Sequence, residues 1–380
     1  MPQQEPGSRP VTIRDVAARA GVSIGTASKA LNGQGKLRPE TRERVAAAAR
    51  DMGFAPNMIA RGLLGGRTYT VGVITSDSFG RFSIPVMLGA EDALAAGQIS
   101  VFMSDTRDDP ARERRYVETL LARRVDGLIV AGRRIEPRPS IGTALGIPVV
   151  YAMTQSLDTD EPSVIPDDYG GGRLAAEHLL AEGRRHLGHI AGPERFLAAR
   201  KRASGFCDAV ARSGAARGGA PEEVLYGEWS ESWGRQAARI LLQDTPETDG
   251  IFCGSDQIAR GACDTLRLLG RRVPEDVAVI GFDNWVPMAM GCAPPLTSVD
   301  MCLEDVGRAA AEHLLAAING EPSHGLHTIP CRLVTRDSTG DVSGPAGVPG
   351  PAAVPGSDSV SGSAGGSGSV GGAGSASGVS

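Results

Sequence analysis

Seven residues near the start of the chain, "SIGTASK" from Ser23 to Lys29, carry the first legible chemistry. At helical spacing Ala27, Ala30 and Leu31 share one face, and Ile24, Gly25, Ser28 and Lys29 are left on the other with nothing to bury against. A hydroxyl, an ammonium and a bare backbone position on an exposed face can donate to phosphate oxygens or to base edges. The neighbouring segments supply the support such a helix needs. In "TIRDVAARAG" the apolar residues Ile13, Val16, Ala17 and Ala20 share one helical face, Thr12 with Asp15 forms a capping box, and Gly21 ends the element. Ser23 can cap the second helix. A third helix starts at Pro39 and buries Val45, Ala48, Ala49 and Met52. Two helices joined by a short turn and buttressed by a third make a helix-turn-helix, whose second helix lies in the DNA major groove. Ile24, Gly25, Thr26, Ser28 and Lys29 are then the DNA-facing set.

Charge agrees with this reading. The 380-residue chain carries a net −5, yet residues 1–67 hold eleven Lys or Arg against five Asp or Glu. A basic head on an acidic body suits a polyanionic partner, double-stranded DNA.

Other chemistries find little footing. Cys207, Cys253, Cys263, Cys292, Cys302 and Cys331 contain no C-x-x-C pair, so buried thiols are expected in place of disulfides or a metal site. His186 and His189, in "RRHLGHIAG", sit at a strand entry and read as structural. No G-x-G-x-x-G opens a helix after a strand, and no P-loop or G-x-S-x-G nucleophile elbow at a strand-to-helix turn appears, so neither an enzyme nor a resident cofactor is expected. No apolar run is long enough to span a bilayer and no export signal opens the chain. A cytoplasmic protein without a membrane partner is the expectation, which also argues against a transport binding protein.

From about Thr68 to Asp337 short apolar runs such as "TVGVIT", "VDGLIVAG", "IPVVYAM" and "VAVIGFD" alternate with segments of helical period. That alternation predicts an α/β core of doubly wound parallel sheets, and its length favours two lobes with a cleft between them. The expected organisation is a flexible leader at 1–10, the DNA-binding domain at 11–55, a hinge at 56–67 and the core at 68–337. Within the core, one lobe takes about 68–166 and 302–322, the other about 167–298 and 323–337. Residues 338–380, rich in Gly, Ser and Pro, are expected to be disordered.

From Val11 to about Ser338 the chain resembles the lactose-repressor (LacI/GalR) family of bacterial transcription regulators, on "TIRDVAARAGVSIGTASKALNGQGKLRPETRERVAAAARDMGFAPNMIARGL" and on core motifs in the family's order. The resemblance implies a three-helix head, a hinge helix and a core similar to periplasmic sugar-binding proteins. It implies that Thr12, Ser23 and Asn32 hold phosphates, and that Asn57, Ala60 and Leu63 belong to a hinge helix whose leucine enters the minor groove. Such a wedge unstacks a base step and bends the duplex. It further implies a homodimer on a palindromic operator, and a small-molecule effector, a sugar or sugar derivative, in the cleft. "ARKRASGF" offers Arg202 for that ligand, "VIGFDN" offers Asp283, "GEWSES" offers Trp229, and "FCGSDQ" offers Ser255 and Asp256, with Phe82 on the facing lobe. The sequence departs from the family pattern at Lys29, where an arginine is common, at Gly25, Arg38 and Gly62, and at Ser83, Met153 and Ser255. Lys29 exchanges a planar fork for a point charge, so base preference cannot be carried over from a relative.

Overall fold

The computed structural model describes residues 11–31, 35–54, 67–95, 99–142, 144–214 and 224–340. The expected leader, nearly all of the hinge and the segment from 341 onward lie outside the described residues.

The head consists of α1 (Ile13–Ala20), α2 (Ile24–Leu31) and α3 (Pro39–Asp51). Its core is Val16, Ala17, Ala20, Ala27, Ala30, Val45, Ala48 and Ala49. Small residues suffice because the three helices approach closely. The turn between α1 and α2 depends on Gly21, whose φ of 66° is left-handed, and the amides of Gly21 and Val22 close back onto Ala18 and Ala17. At the start of α1 the Thr12 amide donates to Asp15 Oδ2 at 2.8 Å. At the start of α2 the Ser23 hydroxyl accepts the Thr26 amide at 3.1 Å. Arg44 of α3 donates to the Ala20 carbonyl at 3.0 Å and so fastens the third helix to the end of the first.

The core begins with β1 (Thr70–Thr75), α4 (Ser83–Ala95), β2 (Ser100–Asp105), α5 (Pro110–Ala122), β3 (Gly127–Ala131), β4 (Pro137–Arg138), β5 (Val149–Ala152), β6 (Gln155–Ser156) and β7 (Ser163–Pro166). The chain then builds α6 (Asp168–Ala181), β8 (Leu187–Ala191), α7 (Leu197–Ser213), β9 (Leu225–Tyr226), α8 (Glu231–Asp244), β10 (Gly250–Cys253), α9 (Asp256–Leu268), β11 (Ala278–Phe282), α10 (Val286–Ala289) and β12 (Thr297–Asp300). It closes with α11 (Leu303–Ile318), β13 (Leu326–Ile329) and β14 (Arg332–Val334).

These strands form two six-stranded sheets, ordered β13-β7-β5-β3-β1-β2 and β14-β12-β11-β10-β8-β9, with β4 and β6 paired apart. Every pairing in the first sheet is parallel, and in the second only β14 runs antiparallel to its neighbour. Both faces of each sheet are covered, which is why the strands read as unbroken apolar runs. Within β3, Ile129 and Ala131 join the cluster beneath α4 and α11, and Leu128 and Val130 join the one beneath α5. The helix pairs meet at glycines: a Cβ on Gly89 would strike the Glu304 carbonyl of α11, and one on Gly307 the Val86 carbonyl of α4.

The chain crosses between lobes at Asp167, at Met301–Cys302 and at Pro330–Cys331. The last crossing corrects the expected boundary at 323. Leu326–Ile329 pairs with β7 in the first sheet, and only Arg332–Val334 joins the second. Pro330, which has no amide for a ladder, stands between the two strands. The folded chain also runs past 337: Ser338 and Thr339 are buried, and the Ser338 hydroxyl accepts the Thr297 amide at 2.8 Å.

Candidate functional site

Two regions collect the residues with functional chemistry. In the head, α2 turns Ala27 and Ala30 inward and leaves Ile24, Gly25 and Lys29 exposed, with Thr26 and Ser28 half-buried at the margins. Ile24 is 46% exposed, an unusual position for a β-branched apolar side chain and one suited to a thymine methyl. Thr12 and Ser23 are committed to capping: the Thr12 hydroxyl donates to Asp15 at 2.6 Å, and Ser23 shares a 2.9 Å contact with the Thr26 hydroxyl. Asn32, Asn57, Ala60 and Leu63 lie outside the described residues. At the end of the hinge, Arg67 donates to the Ile318 carbonyl at 2.7 Å and to Asn319 at 2.8 Å. Asp126 accepts the amides of Thr68 and Tyr69 at 2.8 and 2.6 Å. The entry to the core is thereby anchored to the last turn of α11 and to the start of β3.

The second region is a cavity of about 180 Å³ between the lobes. Its walls are residues that directly follow strands: Arg81 and Phe82 after β1, Arg133 to Glu136 after β3, Met153 after β5 and Asp168 after β7. From the other lobe come Phe196 and Arg202 after β8, Trp229 after β9, Ser255 and Gln257 after β10, Asp283 after β11 and Met301 after β12. This is the crevice outside the carboxyl ends of strands where open α/β sheets hold ligands. Five of the six expected ligand residues, Phe82, Arg202, Trp229, Ser255 and Asp283, line it.

Asp256 does not line the cavity, which corrects the sixth. It is fully buried, accepting the Trp285 amide and the Ser298 hydroxyl, each at 2.6 Å. As the first residue of α9 it points inward and ties together the chain after β11 and the strand β12. Burial, and next the charge of Asp283, push its carboxyl well above the usual carboxylate range. Ser255 reaches the cavity wall but also caps α9, accepting the Ile258 amide at 3.3 Å. Ser83 is buried and bonds with its amide to Asp77 at 2.9 Å, and Asp77 also takes the Phe82 amide at 2.7 Å. The serine that departs from the family pattern thus helps to fasten the start of α4.

At the centre of the cavity wall sits Arg202. Its Nε donates to Asp168 Oδ1 at 2.6 Å, one Nη to the Gly254 carbonyl at 2.6 Å, and the same Nη stands 3.6 Å from Asp283 Oδ1. The guanidinium lies over the Phe282 ring, 3.6 Å from its centroid. Burial opposes the charge on Arg202, but Asp168 and Asp283 outweigh it and hold the guanidinium protonated. Burial also raises the Asp168 carboxyl, against the pull of Arg202. Trp229 is placed by glycine, because a Cβ on Gly192 would overlap its ring. Four polar atoms of the lining side chains are buried without a partner: the acceptors Asp168 Oδ2 and Glu136 Oε2, and the donors Arg81 Nε and Arg133 Nε.

The reading from sequence missed Arg81, Glu136, Asp168 and Phe196. Their signal was available: each follows closely on an apolar strand, and a charged or aromatic residue there faces the crevice. His189 is structural, as expected. It is fully buried, stacks on Phe252 with centroids 4.5 Å apart, and burial lowers its pKa to about 4. All six cysteines are free thiols, five of them buried. Among the described residues no group of three or more potential ligands is placed to hold a metal, and no helix is long and apolar enough to cross a membrane.

Residues 12–57 match the family described as bacterial regulatory proteins of the lacI type, and residues 68–337 match periplasmic binding proteins and the sugar-binding domain of that family. The transcriptional regulator CelR of Thermobifida fusca is 35% identical over 333 residues, covering 85% of this chain and 95% of that protein. A solved complex of CelR with cellobiose aligns at 31% identity and a TM-score of 0.59, over 87% of this chain and all of that one. The lac repressor dimer bound to operator and the anti-inducer ONPF aligns at 28% identity and a TM-score of 0.64, over 88% of this chain and all of the other.

Proposed function

The chain belongs to the LacI family of bacterial regulatory proteins, and from that premise we propose that it is a cytoplasmic repressor which binds a palindromic operator as a homodimer and is controlled by a neutral sugar or sugar derivative held between its lobes. As a member of that family it is a DNA-binding transcription regulator, and no catalytic step belongs to the proposal. In the head, α2 presents Ile24, Gly25, Thr26, Ser28 and Lys29 to the major groove, and the hinge supplies Leu63 to the minor groove, with Asn57 and Ala60 as further DNA-contacting residues. Thr12 makes a phosphate contact by turning its hydroxyl hydrogen from Asp15 to a phosphate oxygen.

The observation that carries the ligand half of this reading is the set of orphaned polar atoms. Two unpaired carboxylate oxygens and two unpaired guanidinium N–H groups, covered in this state, belong to side chains that line one small cavity. A hydroxyl both donates and accepts, so vicinal hydroxyls answer all four, whereas a carboxylate ligand answers only the donors. Phe82, Phe196 and Trp229 add flat apolar faces suited to the C–H face of a ring. The relative CelR has been solved with cellobiose, a ligand of this chemistry.

Dimerisation is supported by Ile84 and Leu88 of α4 and by Phe102 and Met103 of the edge strand β2, each 44 or 45% exposed on elements that touch. An apolar edge of this kind calls for a cover, and a second copy supplies one while pairing two heads on a two-fold site.

The reading is tested by selecting bound duplexes from a random pool with the purified chain, then screening monosaccharides and disaccharides for release or tightening of the selected DNA. An inverted repeat of about 14–20 base pairs is expected, the span of two half-sites. Binding without a consensus would remove the operator reading, and a consensus insensitive to every sugar would remove the effector class.

A further inference from the structure

Arg81 belongs to the loop between β1 and α4, yet its polar partners lie in the other lobe. It pairs with Asp283, donates to Gln257 Oε1 at 3.3 Å, and lies over the Trp285 ring, 4.4 Å from the centroid. In its own lobe it meets the Phe82 ring at 5.0 Å. Arg81 also stands on a boundary, lining both the inter-lobe cavity and a neighbouring groove of about 570 Å³. With 18% of its side chain exposed, it closes one side of the cavity. The lobes also meet through Glu136, whose Oε1 accepts the Leu197 amide at 2.7 Å, and through Arg134, 4.7 Å from the Phe196 centroid.

We propose that Arg81 is a latch between the lobes, closing the cavity in this state and releasing when the lobes part. Release is feasible because it strands no buried charge. Asp283 keeps Arg202 at 3.6 Å, and the freed guanidinium swings into a groove lined by Asp300, Glu304 and Asp305. Breaking a buried pair is costly when one charge is left alone; here Asp283 has a second partner in Arg202, and Arg81 would gain the carboxylates of the groove. Arg81 holds Asp283 through Oδ2 and Arg202 stands 3.6 Å from Oδ1, so a cation faces each oxygen of Asp283 while the latch is shut. A ligand that makes contact with Asp283 therefore competes with the latch, and one that engages Asp168 and Glu136 does not. The latch deepens the reading of the cavity as a ligand site, but its test needs neither ligand nor DNA.

The Leu197 amide is the reporter. It is the first residue of α7, so it has no acceptor inside the helix, and its protection from exchange rests on Glu136 across the cleft. Hydrogen exchange is measured on the full chain as wild type, Arg81→Gln and Arg81→Lys, with circular dichroism as the check on folding. Arg81→Gln is expected to speed exchange at Leu197 about tenfold, since exchange follows the open population. Arg81→Lys keeps the charge but loses the fork and the stack, and is expected to fall between the two. Should Arg81→Gln not fold, Arg81→Lys carries the same test. Exchange changes confined to the backbone around 81 and 283, with Leu197 unaltered, would overturn the latch. Failure to find a sugar effector would leave the exchange result standing, so the two readings fail separately.

Discussion

The head and the inter-lobe cavity use charge in opposite ways. Lys29 stands exposed on α2 with a surplus of basic residues around it, and no acidic partner is required for folding. Arg202 is buried, and Asp168, Asp283, the Gly254 carbonyl and the Phe282 ring surround it. A charge that meets a polyanion from outside can remain solvated until the partner arrives, whereas a charge facing a small ligand must be neutralised in advance. The head therefore separates stability from function residue by residue, and the cavity does not.

The sharpest break of that comparison is Arg202→Ala. It leaves Asp168 without its cation in a buried setting, and chemical denaturation is expected to show a loss of about 3–5 kcal/mol. An unfolding free energy within ~0.5 kcal/mol of wild type would mean that the cavity tolerates loss of charge as the head does.

Next in size is the response to acid. His189 is neutral in the fold, its pKa lowered to about 4 by burial, and titrates near 6.5 when unfolded. Below 6.5 the unfolded chain binds a proton that the native chain refuses. The contribution of His189 is thus fully present above pH 6.5 and is lost as pH falls towards 4, at about 1.4 kcal/mol per pH unit. His189→Leu is expected to flatten that part of the stability curve relative to wild type. Parallel curves for the two proteins would show that burial does not hold the imidazole neutral.

The smallest stability effect should come from Lys29→Ala, within ~0.5 kcal/mol, because the side chain is exposed on α2. Its effect belongs to DNA: loss of preference at one position of each half-site, worth about 1–3 kcal/mol, read by repeating the duplex selection. A uniform loss across all sequences would move Lys29 from base reading to phosphate contact.

The head was legible because its rules are local. Thr12 with Asp15, Gly21, Ser23 and Pro39 mark the ends of three helices, and the spacing of Val16, Ala17, Ala27 and Val45 gives their inner faces. The cavity was legible only where a motif could be matched. Arg202 and Asp283 were found that way, and so was Asp256, one residue from the wall but turned inward by its place at the start of α9. Arg81, Asp168 and Glu136 belong to no such motif. They come together because strands far apart in the chain end at the same crevice.

By itself the sequence determined the alternation of strand and helix, the three-helix head, the outward face of α2 and the burial of the cysteines. These depend on periodicity, on caps and on apolar content, all properties of short segments. Only the tertiary structure decided that Arg81 reaches across to Asp283 and that Asp168 keeps one oxygen unpaired. It also decided that Pro330 parts β13 from β14 at the third crossing. The physical reason is that charge pairing and desolvation depend on distances between residues hundreds of positions apart, and the packing of two sheets sets those distances.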